Sequence, residues 1–241
     1  MSKLWLESLY NLGVILIKEK YSVMSIDRDQ YKEWLKHKHY AKRIPQVSFA
    51  FGLFNSVNEL IGCCTFGLPC RMMNDGYCIF NDSYCVKTLE LNRLVVNENL
   101  DKNVLSYFVS LCLKYLPKPM CIVSYADENS GHHGYIYQAT NWIYTGISKS
   151  ESTYFDTNTN KYIHPRTIVG TYGSRNIDSV PDNIIIDKEP TGKHRYFMFI
   201  GSKSDIRKMK KYFKYPILPY PKGDNKRYDA SYEPTIQEIL F

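Results

Sequence analysis

Leu89 to Gly146 reads LELNRLVVNENLDKNVLSYFVSLCLKYLPKPMCIVSYADENSGHHGYIYQATNWIYTG, and its pattern decides the fold. Leu89, Leu91, Leu94, Val95 and Val96 form an apolar, partly β-branched run of strand length. Asn103 is placed to cap a helix carrying Val104, Leu105, Phe108, Leu111, Cys112 and Leu116, which Pro117 and Pro119 stop. Met120–Tyr125 follows as a second strand. The unit is β-loop-α-β, and the helix is long enough to cross between parallel strands. Asp127, His132, His133, Tyr135 and Tyr137 collect just past the second strand, where such units place function.

Upstream, Tyr21–Ile26 reads as a strand, and Asp27 caps a helix through Lys38 with Tyr31, Trp34 and Leu35 on one face. Val47–Phe54 and Glu59–Gly67 form a hairpin around the turn Asn55-Ser-Val-Asn58. The order is β-α-β-β-β-α-β-α, an α/β fold with a mixed, mostly antiparallel sheet flanked by helices. Beyond Gly146 the signals thin. Thr167–Thr171 and Asn183–Ile186 read as short strands and His194–Ile200 as a clear one. Ser204 is placed to cap a helix with Ile206, Met209 and Phe213 on one apolar face. The division expected is a core over residues 1–150 and a basic α+β extension over 151–241 packed on it.

The 241 residues suffice for a large core, and 21 tyrosines with 44% hydrophobic residues favour a globular chain. Seven cysteines are an odd number, Cys63 and Cys64 are adjacent, and Cys112 and Cys121 sit in apolar runs. Reduced thiols in a cytoplasmic protein are therefore expected, with no targeting peptide and no membrane span. Charge is uneven. Between Lys193 and Arg227 eleven Lys and Arg face two Asp, a net of +9; with +7 overall, the rest of the chain carries −2. Cations interleaved with tyrosines suit a polyanion, although a solvated helix face has the same composition.

The strand order resembles the GNAT N-acetyltransferase fold. More specifically, Glu90-Leu-Asn-Arg93-Leu94, Ser124-Tyr-Ala-Asp127 and Gly131-His-His-Gly134-Tyr-Ile-Tyr137-Gln-Ala-Thr-Asn-Trp142 resemble the Mom family of phage DNA-modification proteins. His39-Tyr40, His194-Arg-Tyr and Tyr220-Pro-Lys222 resemble its flanking motifs, so that the likeness spans roughly residues 21–225. The resemblance implies an acetyl-CoA-related enzyme that modifies adenine in DNA, to N6-carbamoylmethyladenine in that family, so that restriction nucleases fail on phage DNA.

It also implies site residues. Adenine's exocyclic amine is a poor nucleophile, its lone pair being delocalised into the ring, so a group must accept a hydrogen bond or proton from it. Asp127 is the candidate, against a turn or cap role. Tyr137 would protonate a departing thiolate, against a place in the core. Arg93 faces away from Leu94 and would grip a donor carboxylate or phosphate, against an ion pair with Glu90 or Asp127. His39 and Tyr40 complete the catalytic set. Acetyl-CoA or another acyl-CoA donor would lie against Val95, Lys102, Asn103, Ser106 and Tyr137. The turn there, Leu100–Ser106, lacks the glycines usual for a pyrophosphate cradle, and Asp101 has the wrong sign. DNA would meet His133, Lys193, Arg195, Arg207, Lys210, Lys211 and Lys222. Whether a metal takes part is open: adjacent His132 and His133 do not easily share one ion. Two other readings fit the same residues, an acetyltransferase for a small-molecule or protein amine and a non-catalytic DNA binder.

Overall fold

A computed structural model describes residues 17–39, 43–69, 73, 79–81, 84–128, 131–148, 153–163, 165–174, 176–188 and 192–223. Its centre is a seven-stranded sheet built from β1 (Ser22–Ser25), β2 (Phe49–Phe54), β3 (Leu60–Gly67), β4 (Thr88–Val96), β5 (Met120–Asp127), β6 (Ile143–Ser148) and β10 (Lys193–Ile200). The spatial order is β1-β2-β3-β4-β5-β10-β6. Among these strands only β4 and β5 run parallel.

Helices cover both faces. Helix α1 (Arg28–Glu33) runs into a π-helical turn, Trp34–Lys38, and α2 (Val104–Tyr115) crosses from β4 to β5. The short α3 (Tyr135–Ala139) follows β5, and α5 (Lys203–Tyr212) follows β10. Helix α2 buries Val104, Phe108, Val109, Cys112 and Leu113, one stripe at helical spacing. Each contributes roughly 1.5–3 kcal/mol of apolar burial. Alternation along β5 divides the interior. Ile122 and Ala126 pack with α2, whereas Cys121 and Val123 pack with Met209 of α5. On that second side the turn after α1 sets Trp34 and Leu35 against Ala50, Cys63 and Val95.

Three expectations are corrected. Thr167–Thr171 is not a strand but lies in helix α4 (Pro165–Tyr172). Its β-branched residues favour a strand locally, yet Pro165 suits a first helical position and Ile168 is buried against Tyr154 and Ile184. With β7 (Thr153–Asp156), β8 (Lys161–Ile163) and β9 (Ile184–Lys188), α4 forms a three-stranded satellite of the main sheet. The cap of α5 is Ser202, not Ser204. The Ser202 hydroxyl accepts from the Asp205 amide, and the Asp205 carboxylate accepts from the Ser202 amide. Finally, the stretch after residue 150 supplies β10 as an interior strand of the main sheet, between β5 and β6 and paired along its length with β5. Apolar Phe197 and Phe199 on one side and Tyr196 and Ile200 on the other suit a strand covered on both faces.

Cys63, Cys64 and Cys112 are free thiols, and burial pushes those of Cys63 and Cys64 up. Among the described residues no helix is long and apolar enough to cross a membrane.

Candidate active site

Strands β4 and β5 share a ladder only from Thr88–Glu90 to Cys121–Val123, although β4 continues to Val96 and β5 to Asp127. Past Glu90 and Val123 the strands separate, and the gap opens into a cavity of about 650 Å3. A bulge in β4 assists the opening. Thr65 pairs with Arg93 and Phe66 with Leu91, which leaves Asn92 as the extra residue. Asn92 is tied down by the Thr65 hydroxyl, which donates to its Oδ1 at 2.6 Å, and by its own Nδ2, which donates to Gln46 O at 3.1 Å. The bulge sends Arg93 towards the α1 side while Leu94 packs against the α2 core. This is the opposition expected from the sequence. The Arg93 guanidinium donates to Asn92 O at 2.6 Å and Arg43 O at 3.4 Å.

The π-helical turn after α1 ends at His39, whose amide donates to Trp34 O at 3.2 Å. His39 is 4% exposed and lines the cavity. Burial, then the Arg93 guanidinium, then His132 lower its pKa from 6.5 to about 3. At neutral pH it is an uncharged imidazole beside a permanent cation. This has a consequence for stability. Below pH 6.5 the unfolded chain binds a proton here that the folded protein declines until about pH 3. The contribution to stability is therefore complete above pH 6.5 and is lost as the pH falls towards 3. Replacing His39 with Asn should flatten that dependence. In urea unfolding the stability gap between native and variant proteins is expected to narrow from pH 7 to about pH 4. Parallel curves would show that this imidazole does not titrate between the two states.

Asp127 ends β5 opposite Lys193 of β10, with its Oδ2 3.8 Å from the Lys193 ammonium. The loop then folds back, the His132 amide donating to Asp127 O at 3.1 Å. Gly134, at φ +75°, starts α3. There Tyr137 is buried with its ring 5.0 Å from Trp142 and 5.1 Å from Tyr196. The Tyr137 hydroxyl lies 2.7 Å from the Ser124 hydroxyl, a partner not anticipated because Ser124 sits inside an apolar strand. Behind Tyr137, Tyr196 donates to His133 O at 2.5 Å, and Gln138 donates to His133 O at 3.0 Å. Burial holds the Tyr196 phenol up at about 12. His194, also lowered chiefly by burial, lies 2.9 Å from the Tyr144 hydroxyl and 3.4 Å from His133.

The expected catalytic and donor-binding residues therefore converge. His39, Arg93, Asp127 and Tyr137 line the cavity, as do Val95, Lys102, Asn103 and Ser106. Tyr40 lies outside the described residues. Val95 meets the cavity through its main chain. Its side chain packs with Trp34 and Cys63, so only its main chain can meet a ligand in the cleft. Asn103 occupies the N-cap position of α2 with left-handed backbone (φ +68°) and no side-chain cap bond. Asn99 is left-handed too, at φ +58°. These asparagines adopt the conformation for which glycine is otherwise used. The adverse charge of Asp101 is offset by Lys20, 3.1 Å away. Main-chain donors of the first turn of α2, Lys102 and the unpaired margin of β4 thus suit a pyrophosphate with an extended amide-bearing arm.

The residues expected at DNA do not all gather there. Lys193 adjoins Asp127. Lys222 precedes Gly223, which abuts the His133 ring, because the chain after α5 returns along β6: Leu218 N–H donates to Tyr144 O at 3.0 Å and the Tyr220 hydroxyl to Trp142 O at 2.7 Å. Arg195 is half-buried. It stacks 4.0 Å over Tyr215 and donates to the Thr145 hydroxyl at 2.9 Å. Arg207, Lys210 and Lys211 belong to α5, which starts beyond the Ile200 end of β10. That end pairs with Met120, seven residues from the Lys193–Asp127 pair. At about 3.3 Å per residue the start of α5 is roughly 23 Å from the carboxylate. Among the described residues no group of three or more His, Cys, Asp or Glu is arranged to hold a metal.

A mostly antiparallel sheet flanked by helices, whose parallel pair splays over a cavity lined by polar and apolar residues, defines a mixed α/β protein. The chain belongs to the Mom protein family, which it matches over residues 20–222. It is 27% identical over 197 residues to the methylcarbamoylase Mom of Escherichia phage Mu, covering 78% of each chain. Solved structures it resembles include spermidine/spermine N-acetyltransferase SpeG from Vibrio cholerae (TM-score 0.45, 9% identity, 76% of this chain and 94% of that one). Another is NAA60 from Arabidopsis thaliana (TM-score 0.44, 10% identity, 75% of this chain and 99% of that one).

Proposed function

We propose that this chain is a phage-type DNA modification enzyme that transfers a small carbonyl-bearing group from an acyl-CoA donor to the exocyclic amine of adenine, and so protects the DNA from restriction. The observation that carries the reading is the meeting of Asp127, Arg93, His39 and Tyr137 in one cavity of a Mom-family chain. The phage Mu relative, named a methylcarbamoylase, supports the transferred group. The net +9 between Lys193 and Arg227 supports a polyanionic partner.

When bound, a thioester donor supplies an activated carbon and a thiolate leaving group. Within the chain, Asp127 accepts a hydrogen bond from the amine and so localises its lone pair towards the cavity. Arg93, anchored to the carbonyls of Asn92 and Arg43, presents its guanidinium to a carboxylate or phosphate oxygen. His39 is neutral, so it orients groups by hydrogen bonding without adding a second cation beside Arg93. The Tyr137 hydroxyl is the proton donor on the α3 side. The target base has to leave the stack to reach a carboxylate at the end of β5. Lys193 and Lys222 flank that end and would hold the phosphates.

The test is expression in a bacterial host carrying a plasmid, followed by mass spectrometry of the plasmid's nucleosides. A new adenosine-derived mass is expected, and its increment identifies the group. Only the four ordinary nucleosides from a host making folded protein would overturn the proposal. DNA retention should weaken steeply between about 50 and 200 mM salt. Retention indifferent to salt would remove DNA as the partner.

A further inference from the structure

We propose that Ser124 is a positioning residue that works through Tyr137: its hydroxyl holds the Tyr137 phenol at the apex of the β4–β5 cleft and turns to it when the phenol gives up its proton. The inference rests on the reading of Tyr137 as the proton donor to a thiolate.

The placement follows from where the ladder ends. Glu90 and Val123 are the last paired residues of β4 and β5, so Leu91 and Ser124 are the first on either side of the split. Ser124 is 1% exposed, and its Oγ lies 2.8 Å from Leu91 O and 2.7 Å from the Tyr137 hydroxyl. A carbonyl can only accept, and a serine has one proton. With Ser124 donating to Leu91 O, the Tyr137 O–H donates to Ser124. The serine thus bridges the two strands where the ladder stops and fixes the phenol from α3 on the bridge. Alanine would leave Leu91 O and the phenol without this partner in a buried place.

Proton donation changes the balance. The Tyr137 O–H bond breaks, an S–H bond forms on the leaving thiolate, and tyrosine is left as a phenolate. A phenolate only accepts. Rotation about the Ser124 Cβ–Oγ bond moves the serine proton from the neutral carbonyl to the anion, and hydrogen bonds to anions are roughly twice as strong as neutral ones. The phenolate recovers a proton from solvent once the product leaves. Nothing larger than serine is required, because rotation of one O–H suffices.

The experiment places 3-fluorotyrosine at position 137 and follows its ionisation by fluorine NMR in the native, Ser124→Ala and Ser124→Thr proteins. Thermal unfolding confirms that each is folded. The Ser124→Ala midpoint is expected about one pH unit higher, with Ser124→Thr near the native value. In cells the rate of appearance of the modified nucleoside should fall about tenfold in Ser124→Ala and be restored in Ser124→Thr. Ser124→Ala combined with Tyr137→Phe should be no slower than Tyr137→Phe alone. An unchanged midpoint, or additive losses in the double variant, would overturn the role of Ser124. Native modification rates in Tyr137→Phe would instead sink the proton-donor reading, whatever the NMR midpoint shows.

Discussion

Asp127→Asn is expected to leave plasmid DNA unmodified while the protein stays folded and still binds DNA. The substitution preserves shape and the main-chain pairing with β10, but it replaces an acceptor-only carboxylate with an amide that presents two donors of its own. An adenine amine facing that amide has one acceptor where it had two and no base for its proton. A loss of about 10²–10⁴-fold in the rate of modification follows if Asp127 assists as a base. The measurement is the mass-spectrometric yield of modified nucleoside per unit of soluble protein over a time course. Binding is followed separately by retention on DNA at fixed salt. The lost Lys193 contact, at 3.8 Å and half exposed on the lysine side, has a negligible effect on stability. Native modification by Asp127→Asn would show that the carboxylate is a structural end to β5, and the acceptor would have to be sought elsewhere around the cavity.

Gly134→Ala should be the most damaging single methyl group near the site. Gly134 has φ +75°, and a Cβ there would stand 2.4 Å from Cε2 and 2.8 Å from Cζ of Tyr196, with Tyr137 at 3.0 Å. Tyr196 cannot swing aside. It is fully buried, its hydroxyl is bound to His133 O, and its ring packs against Tyr137 and Tyr144. Left-handed strain and overpacking each cost about 1–3 kcal/mol, so a loss of roughly 2–6 kcal/mol in chemical denaturation is expected. Because α3 carries Tyr137, modification should fall as well, even at temperatures where the variant is folded. A stability within about 0.5 kcal/mol of native would mean that α3 can shift as a unit without disturbing the β10 face.

Both predictions draw on residues that were legible in the sequence to different degrees. Asp127 was legible through the motif Ser124-Tyr-Ala-Asp127, because a lone carboxylate closing a strand reads more readily as a turn or cap residue. Gly134 stood in a quoted motif, but nothing in the motif says that Tyr196, sixty-two residues later, occupies the space its missing side chain leaves. Ser124 was hidden because a serine in Met120-Cys-Ile-Val-Ser-Tyr looks like a tolerated small polar residue in a buried strand. The glycine-free turn before α2 counted against a phosphate cradle, and the structure answers with Asn99 and Asn103 in left-handed backbone. Asparagine tolerates that region because its side chain is short and polar, a signal that sequence inspection can use. The misread helix α4 is the converse: four β-branched residues outweighed a proline start, and only packing against Tyr154 and Ile184 reverses the preference.

Local pattern alone determined the β-α-β-β-β-α-β order, the crossover helix with its single apolar stripe, and the polar cluster after β5, because periodicity and helix stops act over a few neighbouring residues. Tertiary structure decided three further matters. It placed β10, from the far end of the chain, beside β5, where Lys193 meets Asp127. It ended the β4–β5 ladder after three pairs, which makes the cavity. It also set the start of the basic helix beyond the end of β10 farthest from the carboxylate, despite its chemistry in the sequence. Each depends on which apolar faces find one another across roughly thirty to eighty residues of chain, and such pairing leaves no mark in the local spacing of residues.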